Sequence, residues 1–457
     1  MATTYRVQNP ATNEIVATYE QTTDQELQDT LQRADAAYKT WSALSYEERA
    51  AYLRKVAQLF DERRDTLVKI IAEEMGKAID QGDGEVSECV EICNYYADHG
   101  AEFGADEPLP HDGGDIVIRK VPLGVIVGVM PWNFPYYQVA RFAAPTLMAG
   151  NTIILKHASI CPRSAEAIQQ IFDDAGVPEG VFNYRRISHG QIEDLLADPR
   201  VQGVSLTGSE GAGKAVAKAA GANLKKALLE LGGTDAYIVL DTDDIDREVR
   251  TAMKKRMSNV GQACTSNKRI IVMDDIYDEF VSKMVDAVSA LRQGDPFTPE
   301  RGHYYPLSSR EAAETLRDQV AAAVEAGATL HCGGELTGEG AYFTPAVITD
   351  IPVGSDSYYE EFFGPVVEIY KVSSDEEAVE LANNSRYGLG GAVFSTDEER
   401  AKKVANQVVT GMIHVNIPQA RGAGLPFGGV KNSGFGRELG PLGMDEFVNK
   451  QRYFVAK

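Results

Sequence analysis

Basic residues are scarce in this chain relative to acidic ones. Of its 457 residues, 45 are lysine or arginine and 67 are aspartate or glutamate, which gives a formal net charge of −22 at pH 7. Nucleic acids and anionic membranes are bound by positively charged surfaces. The composition therefore predicts that neither is a partner. The acidic excess is typical of strongly hydrated surfaces, and whether it reflects a salt-rich host stays open.

Long hydrophobic runs and regular cysteine spacings are also lacking. The longest apolar stretches, such as 121–130, are too short to cross a bilayer, and residues 1–15 lack the regions of a signal peptide. Cys89 and Cys93 lie one helical turn apart, but no second Cys or His pair follows at zinc-site spacing. We therefore expect core thiols in a reducing compartment, a cytoplasmic location and no metal site.

Strand and helix patterns alternate along most of the chain. Two short strands are predicted within 3–22, helices within 24–103, and a hairpin around 110–121. From residue 124 onward, short β-branched runs alternate with helical segments. Such alternation is typical of parallel sheets with crossover helices, so we predict an α/β protein of two or three domains.

One segment, Met257–Arg269, carries a thiol in unusual surroundings. Cys264 follows a Gly-Gln pair and precedes a small polar run, whereas a structural cysteine normally lies among apolar residues. Glycine nearby lets the backbone approach a ligand closely. On this segment alone, a nucleophile and a structural cysteine are equally good interpretations.

The turn Leu206–Lys214 follows a predicted strand and opens a helix, where backbone amides bind phosphate. Gly208, Gly213 and Lys214 match the P-loop pattern, but Ala215 stands where that motif needs a magnesium-binding hydroxyl. We therefore expect a phosphate-contacting turn and not a nucleotide hydrolase. The alternative is a tight structural turn.

Two polar residues stand at the ends of predicted buried strands. Asn133 lies between two prolines after one strand, where its amide could donate to an oxyanion; otherwise it is a turn residue beside core aromatics. Glu230 lies in an apolar segment at the end of another. Burial would raise its pKa toward that of a general base, and without function it would need a salt bridge.

Six motifs in this order resemble the aldehyde dehydrogenase superfamily over nearly the whole chain. The run LKHASICP at 155–162 is most similar to the NAD(P)-dependent succinate-semialdehyde dehydrogenases. The motifs are PWNFP (131–135), LTGS (206–209), LELGG (229–233), GQAC (261–264), EEFFGPV (360–366) and LPFGG (425–429).

This resemblance implies an oxidation of an aldehyde to a carboxylic acid through a cysteine thioester. Cys264 would attack the carbonyl, Asn133 and the Cys264 N–H would hold the oxyanion, and Glu230 would activate water for hydrolysis. The residues that the resemblance assigns to the cofactor are Trp132, Lys156, Ser159, Gly208, Ser209, Leu231, Glu361 and Phe363.

Cofactor choice follows from Ser159, where NAD-preferring relatives commonly carry a glutamate. A carboxylate would repel a 2′-phosphate, whereas a serine hydroxyl can donate to it and Lys156 can pair with it. We expect NADP as the cofactor, with NAD as the alternative.

Substrate choice is less fully determined by the motifs. Arg141 matches one arginine that semialdehyde enzymes use for the substrate carboxylate, but Ser258 stands where many relatives have the second. Arg256 and Arg421 are unmatched candidates to replace it. The other interpretation is that Arg141 pairs with scaffold carboxylates.

The resemblance also implies an architecture and an assembly. A Rossmann-like NAD(P)-binding domain would comprise 1–109 and 122–232, an α/β catalytic domain 233–436, and a small β oligomerisation module 110–121 and 437–457. Edge strands in that module need covering, so we expect a homodimer or homotetramer. The functional alternatives are a broad-specificity aliphatic or aromatic aldehyde dehydrogenase and a non-catalytic protein on the same fold.

Overall fold

The computed structural model describes residues 3–457. An antiparallel pair of strands leads into four helices, as the sequence predicts. Thr23 and Ser45 form capping boxes with Glu26 and Glu48, which satisfies the first N–H groups of the helices that follow. These elements are β1 (Tyr5–Gln8), β2 (Ile15–Tyr19), α1 (Asp24–Trp41), α2 (Tyr46–Glu62), α3 (Arg64–Met75) and α4 (Ile79–Phe103).

A hairpin then precedes the first large sheet. Five strands of that sheet are parallel and are separated by helices, in the spatial order β9-β8-β5-β6-β7, with a short late strand added antiparallel to β9. The elements are β3 (Glu107–Leu109), β4 (Gly114–Pro122), β5 (Val125–Met130), α5 (Tyr137–Met148), β6 (Thr152–His157), α6 (Pro162–Asp174), β7 (Phe182–Tyr184), α7 (His189–Ala197), β8 (Val201–Thr207), α8 (Glu210–Ala222) and β9 (Lys226–Glu230).

A second large sheet has seven strands in the order β14-β17-β18-β11-β10-β20-β21, all parallel except β14. Its elements and their short connections are β10 (Ala236–Val239), α9 (Ile245–Met257), β11 (Arg269–Met273), α10 (Asp274–Ser289), β12 (Arg292–Gln293), β13 (His303–Tyr304), α11 (Arg310–Glu325), β14 (Thr329–Cys332), β15 (Leu336–Thr337), β16 (Tyr342–Phe343), β17 (Ala346–Thr349), α12 (Asp356–Tyr359), β18 (Val366–Val372), α13 (Asp375–Asn383), β19 (Tyr387–Gly388), β20 (Gly391–Phe394), α14 (Glu398–Ala405) and β21 (His414–Val415).

The C-terminal segment returns to the earlier parts of the chain. Its strand β23 adds to the first sheet beside β9, and β24 pairs antiparallel with β4 along nine residues, forming the three-stranded sheet β24-β4-β3. The last elements are β22 (Val430–Lys431), β23 (Gly434–Phe435), α15 (Gly440–Asp445) and β24 (Val448–Ala456).

The α/β fold class predicted from the sequence is confirmed. Apolar side chains from the faces of both large sheets are buried, and Cys89 and Cys93 lie in the core as predicted. Within residues 3–457, none of the helices has the length and apolar character that a bilayer span requires.

Two sheet edges face each other where the site residues gather. Loops after β5, β6, β8 and β9 leave the carboxyl edge of the first sheet. The loops that lead into β10, β11 and β18 reach the amino edge of the second. A hydrogen bond between Asn133 and Gln262 joins the two edges.

Candidate active site

Cys264 lies in the segment between α9 and β11, here called the thiol loop (residues 258–268). The loop opens with a 3-10 turn in which Asn259, Val260 and Gly261 have φ of 49°, 54° and 76°. L-residues rarely adopt such values, so the surrounding bonds must hold them. A Cβ on Gly261 would lie 2.2 Å from the carbonyl oxygen of Gly364. Gly261 therefore lets the loop lie close against the backbone of Gly364; close approach to a ligand stays a prediction.

Side-chain amides hold the first half of the thiol loop. The N–H of Asn259 donates to Gln81 Oε1 at 2.7 Å, and Gln262 Nε2 donates to the Asn259 carbonyl at 3.2 Å. Gln262 Oε1 accepts from the N–H of Ser308 at 2.9 Å. These bonds anchor the left-handed turn to α4 and to the segment before α11.

Lys268 holds the second half of the loop. Its buried Nζ donates to the carbonyls of Ala263 and Cys264 at 2.8 and 2.9 Å and forms an ion pair with Glu361 Oε1 at 2.8 Å. The same oxygen of Glu361 accepts from the N–H of Gly233 at 3.1 Å. Lys268 thereby connects the backbone of the thiol residue to a predicted cofactor residue.

Asn133 lies beside the thiol loop, in the turn between β5 and α5. Its Nδ2 donates to the carbonyl of Gln262 at 3.2 Å, and its own carbonyl accepts from Asn259 Nδ2 at 2.8 Å. An amide nitrogen carries two N–H bonds, so the second can donate to a substrate oxygen. The predicted oxyanion donor is thus bound to a residue two positions from Cys264.

The Cys264 side chain is half-buried and reaches a cavity. Burial raises the pKa of its thiol to about 11, and the cations of Arg141 and Lys268 oppose that rise. The thiol is therefore protonated in the free protein at neutral pH. Nucleophilic attack requires that this proton be removed.

Glu230 ends β9 and is buried without a hydrogen-bond partner for either carboxyl oxygen among residues 3–457. Burial raises the pKa of Glu230 well above its ordinary range, and the charge of Glu438 adds to the rise, while Arg141 opposes it. A Cβ on Gly428 would lie 2.7 Å from Glu230 Oε1. The glycine of the LPFGG motif therefore leaves room for this carboxylate.

Arg141 and Glu438 form a buried ion pair next to Glu230. The Arg141 guanidinium carbon lies 4.2 Å from the ring centroid of Phe427 and 5.2 Å from that of Tyr137. Burial is the largest single influence and lowers the pKa of Arg141, but the acidic groups around it, Glu438 foremost, together leave that pKa raised. Glu230, Glu438 and Arg141 are called the carboxylate cluster below. The alternative interpretation of Arg141 was an ion pair with a carboxylate of the scaffold, and the structure contains such a pair.

A cavity of about 510 Å³ opens at the thiol. This volume is typical of small-molecule sites. Cys264, Arg141 and Phe427 line it, together with Arg421, whose Nη1 forms an ion pair with Glu88 at 3.0 Å. The cavity therefore combines a thiol with two arginines, each already paired to a carboxylate.

The suggestion that Arg256 replaces the missing substrate arginine is wrong. It is fully buried and donates to the carbonyls of Phe362 and Val366 and to Ser266 Oγ at 2.9, 2.7 and 2.9 Å. Its donors are used to hold backbone near the thiol loop. Arg421, the other unmatched candidate, does reach the cavity.

Lys156 lies in β6 and Ser209 follows β8, the two strands that flank β5. Lys156 is buried near the end of β6, where its Nζ donates to the carbonyl of His157 at 3.4 Å, and burial lowers its pKa to about 8. Half-buried Ser159 follows it. Ser209 caps α8, where Gly208 and further glycines leave the first helical turn open. A lysine without a carboxylate partner in the described chain and an open helix N-terminus fit a phosphorylated dinucleotide.

The remaining predicted cofactor residues lie around the thiol loop. Trp132 and Phe363 are half-buried and pack edge to face, with ring centroids 5.8 Å apart. Leu231 is buried, and its N–H donates to the carbonyl of Ser433 at 2.9 Å. The ring centroid of Phe363 also lies 5.6 Å from Lys268 Nζ, which places it beside the thiol loop.

Comparisons with known proteins agree with this arrangement. The model of the aldehyde dehydrogenase family matches residues 1–452. The chain belongs to the aldehyde dehydrogenase family. It is 48% identical to a succinate-semialdehyde dehydrogenase [NADP(+)] of Deinococcus radiodurans, over 97% of this chain and 93% of that protein. A probable succinate-semialdehyde dehydrogenase [NADP(+)] of Synechocystis is 41% identical, over 98% and 99%.

A solved structure extends the likeness to three dimensions. The succinic semialdehyde dehydrogenase of Streptococcus pyogenes, in complex with NADP+, is 44% identical and superposes with a TM-score of 0.96 over 99% of this chain and 100% of that one. The resemblance found from six short motifs is therefore confirmed over the whole chain.

Two residues of this aldehyde dehydrogenase site were missed by the sequence reasoning. Lys268 stands in a short polar run before β11, and Glu438 in the glycine-rich tail. Both are charged residues next to apolar segments, which is the signal that singled out Glu230. Nothing local indicates their partners, Glu361 and Arg141, because those lie on distant parts of the chain.

Proposed function

We propose that this aldehyde dehydrogenase oxidises succinate semialdehyde, or a similar semialdehyde, to the acid with NADP through a thioester on Cys264. The observation that carries the proposal is that the Asn133 amide binds Gln262, two residues before Cys264, while Cys264 and Arg141 of the carboxylate cluster line one cavity. The names of the relatives above support the substrate class and the cofactor.

The first half of the reaction forms the thioester. The Cys264 thiol gives its proton to solvent water, and the resulting thiolate adds to the aldehyde carbon. The oxygen that becomes negative accepts hydrogen bonds from Asn133 Nδ2 and the Cys264 N–H. The bond from carbon to hydrogen then breaks, with its electron pair leaving as hydride. The carbonyl re-forms as a thioester to the Cys264 sulfur.

The second half releases the acid. Glu230 takes a proton from water, the oxygen adds to the thioester carbon, and the carbon–sulfur bond breaks to return the Cys264 thiolate. Glu230 accepts a proton only in its ionised form, and burial holds its pKa high. The positive charge of Arg141 opposes that rise in pKa and so favours the ionised form of Glu230.

NADP, when bound, accepts the hydride. Lys156, Ser159, Gly208 and Ser209 would hold its phosphorylated end, and the residues that would border its ring are Trp132, Leu231, Glu361 and Phe363. Lys156 is charged below its pKa of about 8 and can pair with a 2′-phosphate there. We propose NADP as the preferred cofactor and NAD as the weaker alternative.

The semialdehyde carboxylate would be met by the cations that line the cavity, Arg141 and Arg421. Both are engaged in ion pairs, Arg141 with Glu438 and Arg421 with Glu88. Because each arginine is already neutralised by a carboxylate, neither needs a charge from the substrate. This favours a second candidate function, a broad-specificity aldehyde dehydrogenase that acts on aldehydes without a distal carboxylate.

The organisation of the enzyme belongs to the same proposal. We infer a cofactor domain of residues 1–109 and 122–232, a catalytic domain of 233–436, and an oligomerisation module of 110–121 and 437–457. Tyr453, Phe454 and Val455 on the edge strand β24 are half-exposed, and covering them by a second copy would form a homodimer or homotetramer. All five cysteines are free, which supports a cytoplasmic location.

A panel of aldehydes tests the substrate. Succinate semialdehyde should show a kcat/KM at least ~10-fold above butanal, the matched aldehyde without a distal carboxylate, since one charge-assisted contact supports that ratio. Replacing Arg421 by Gln, and separately Arg141 by Gln, identifies the arginine responsible. Equal kcat/KM for both aldehydes would leave the broad-specificity enzyme as the function.

Cofactor preference is tested by the ratio of KM for NADP to KM for NAD. Lys156 loses its charge as pH rises through about 8, so this ratio should increase between pH 7 and pH 9. The Lys156→Met variant should show a raised ratio that no longer varies with pH. A wild-type enzyme that prefers NAD at pH 7 would contradict the proposal.

A further inference from the structure

A buried ion pair lies beneath the turn that carries Asn133. Lys77 Nζ and Glu85 Oε2 are 2.5 Å apart, and both side chains are fully inaccessible to solvent. Lys77 follows α3, and Glu85 lies in the second turn of α4. Neither residue belongs to the reaction described above.

Both members of the pair contact the Asn133 turn. Glu85 Oε1 accepts from the N–H groups of Tyr136 and Tyr137, at 2.7 and 3.1 Å, where α5 begins. Lys77 Nζ lies 3.7 Å from the ring centroid of Phe134, the residue after Asn133. The pair therefore binds the turn through backbone and through a side chain.

Other contacts complete the restraint of this turn. Pro135 O is hydrogen-bonded to His157 Nε2 at 3.0 Å, and Asn133 O accepts from Asn259 Nδ2 at 2.8 Å. Gln81, also on α4, binds the N–H of Asn259. The first two turns of α4 thus contact both the segment with the oxyanion donor and the thiol loop.

Stability does not account for this pair. Burial of two charges costs about as much as their attraction returns, and well-packed apolar residues in their place are often neutral or stabilising. Burial lowers the pKa of Lys77, which reflects that cost. What an apolar pair could not do is accept the two N–H groups that set the position of the turn.

We propose that Glu85, held in place by Lys77, is a positioning residue that aligns the Asn133 amide with the oxyanion formed at Cys264. The inference rests on the proposed function, because it acts through the role of Asn133. Glu85 contacts neither substrate nor thiol, so its effect passes through the backbone of residues 133–137.

Two double variants separate charge from position. Lys77→Met with Glu85→Leu removes both charges and both acceptors, so kcat should fall ~10- to 100-fold, with KM for NADP changed less than ~2-fold. Lys77→Met with Glu85→Gln removes the charges but keeps an oxygen that can accept both N–H groups. Its kcat should stay within ~3-fold of wild type.

The chain offers a matched control in Glu74. Its buried carboxylate accepts from the N–H groups of Arg163 and Ser164, at 2.6 and 3.0 Å, where α6 begins. Glu74→Leu removes the same kind of bonds at the start of α6, a helix that does not carry the Asn133 turn. It should lower Tm and yet keep kcat, at saturating NADP, within ~3-fold of wild type.

A cycle with Asn133→Ala tests whether the effect passes through the amide. If it does, adding Lys77→Met and Glu85→Leu to Asn133→Ala should lower kcat less than ~3-fold further. Hydrogen exchange at the amides of Tyr136 and Tyr137 should become faster in Lys77→Met/Glu85→Leu and stay slow in Lys77→Met/Glu85→Gln. This readout does not depend on turnover.

Several results would overturn the proposal. One is a wild-type kcat in Lys77→Met/Glu85→Leu. Another is a triple variant, with Asn133→Ala added, whose fold-loss in kcat equals the product of the two separate fold-losses. If Lys77→Met/Glu85→Leu does not fold, Glu85→Asp decides, because it keeps the charge and shortens the reach by one methylene: its kcat should fall ~5- to 30-fold. An Asn133→Ala enzyme with normal kcat would instead contradict the proposed function.

Discussion

The thiol loop and the carboxylate cluster are neighbours that differ in how their polar atoms are satisfied. In the thiol loop, Asn259, Gln262 and Lys268 bind backbone groups on several sides of Cys264. In the carboxylate cluster, both oxygens of Glu230 are buried without a donor among residues 3–457. One region is held by many hydrogen bonds, and the other has few.

This difference matches the role proposed for each region. A nucleophile and its oxyanion donor gain rate from fixed geometry, which many bonds provide. A general base must change its charge, and N–H donors that stabilised its ionised form would lower its pKa and weaken it as a base. Four predictions test this contrast between a fixed nucleophile and an adaptable base.

The largest effect is expected from removing the nucleophile. Cys264→Ala should lower kcat by ~10⁴-fold or more, since no other group supplies the thioester. The thiol loop is held by backbone and amide bonds that do not involve the sulfur, so Tm should stay close to wild type. Persistent aldehyde oxidation in this variant would contradict the mechanism and favour a non-catalytic thiol.

Removing the base should stop only the second half of the reaction. Glu230→Gln should lower steady-state turnover by ~10²- to 10⁴-fold, with a burst of one NADPH per subunit before it. Mass spectrometry should then find the acyl group on Cys264. A variant without a burst would show that Glu230 is needed before the thioester forms.

The Cys264 thiol should lose its proton only at high pH. Because the pKa of Cys264 is about 11, its thiolate fraction, and with it the rate of alkylation by iodoacetamide, should rise ~10-fold per pH unit between pH 7 and pH 9. Lys268→Met should slow alkylation, because the Lys268 cation opposes the rise in that pKa. A rate that levels off below pH 8 would mean that the thiol is already activated.

The smallest effect concerns the second carboxylate. The charge of Glu438 raises the pKa of Glu230, and Arg141 is its partner. Glu438→Gln should therefore lower that pKa and move the acid limb of the kcat profile toward lower pH by ~1 unit. Glu446→Gln, whose charge acts on Glu230 more weakly, should give a smaller shift in the same direction. A shift toward higher pH would contradict this assignment.

Local sequence determined much of the scaffold and of the candidate site. Strand and helix periodicity predicted the α/β class. The rule that ligands bind at the carboxyl ends of parallel strands singled out Asn133, and the free amides at a helix start singled out the turn at Gly208. Cys264 and Glu230 were visible as polar or reactive residues in unusual surroundings. These signals are local because they depend on neighbours within a few residues.

Only the tertiary structure decided how these residues meet. It brought the carboxyl edge of one sheet to the amino edge of the other, paired Arg141 with Glu438 and Lys268 with Glu361, and buried Arg256 among backbone carbonyls. Such contacts join segments far apart in the chain, and their partners are chosen by how whole sheets pack. Hydrophobic periodicity fixes which face of an element is buried, but not which distant residue it meets there.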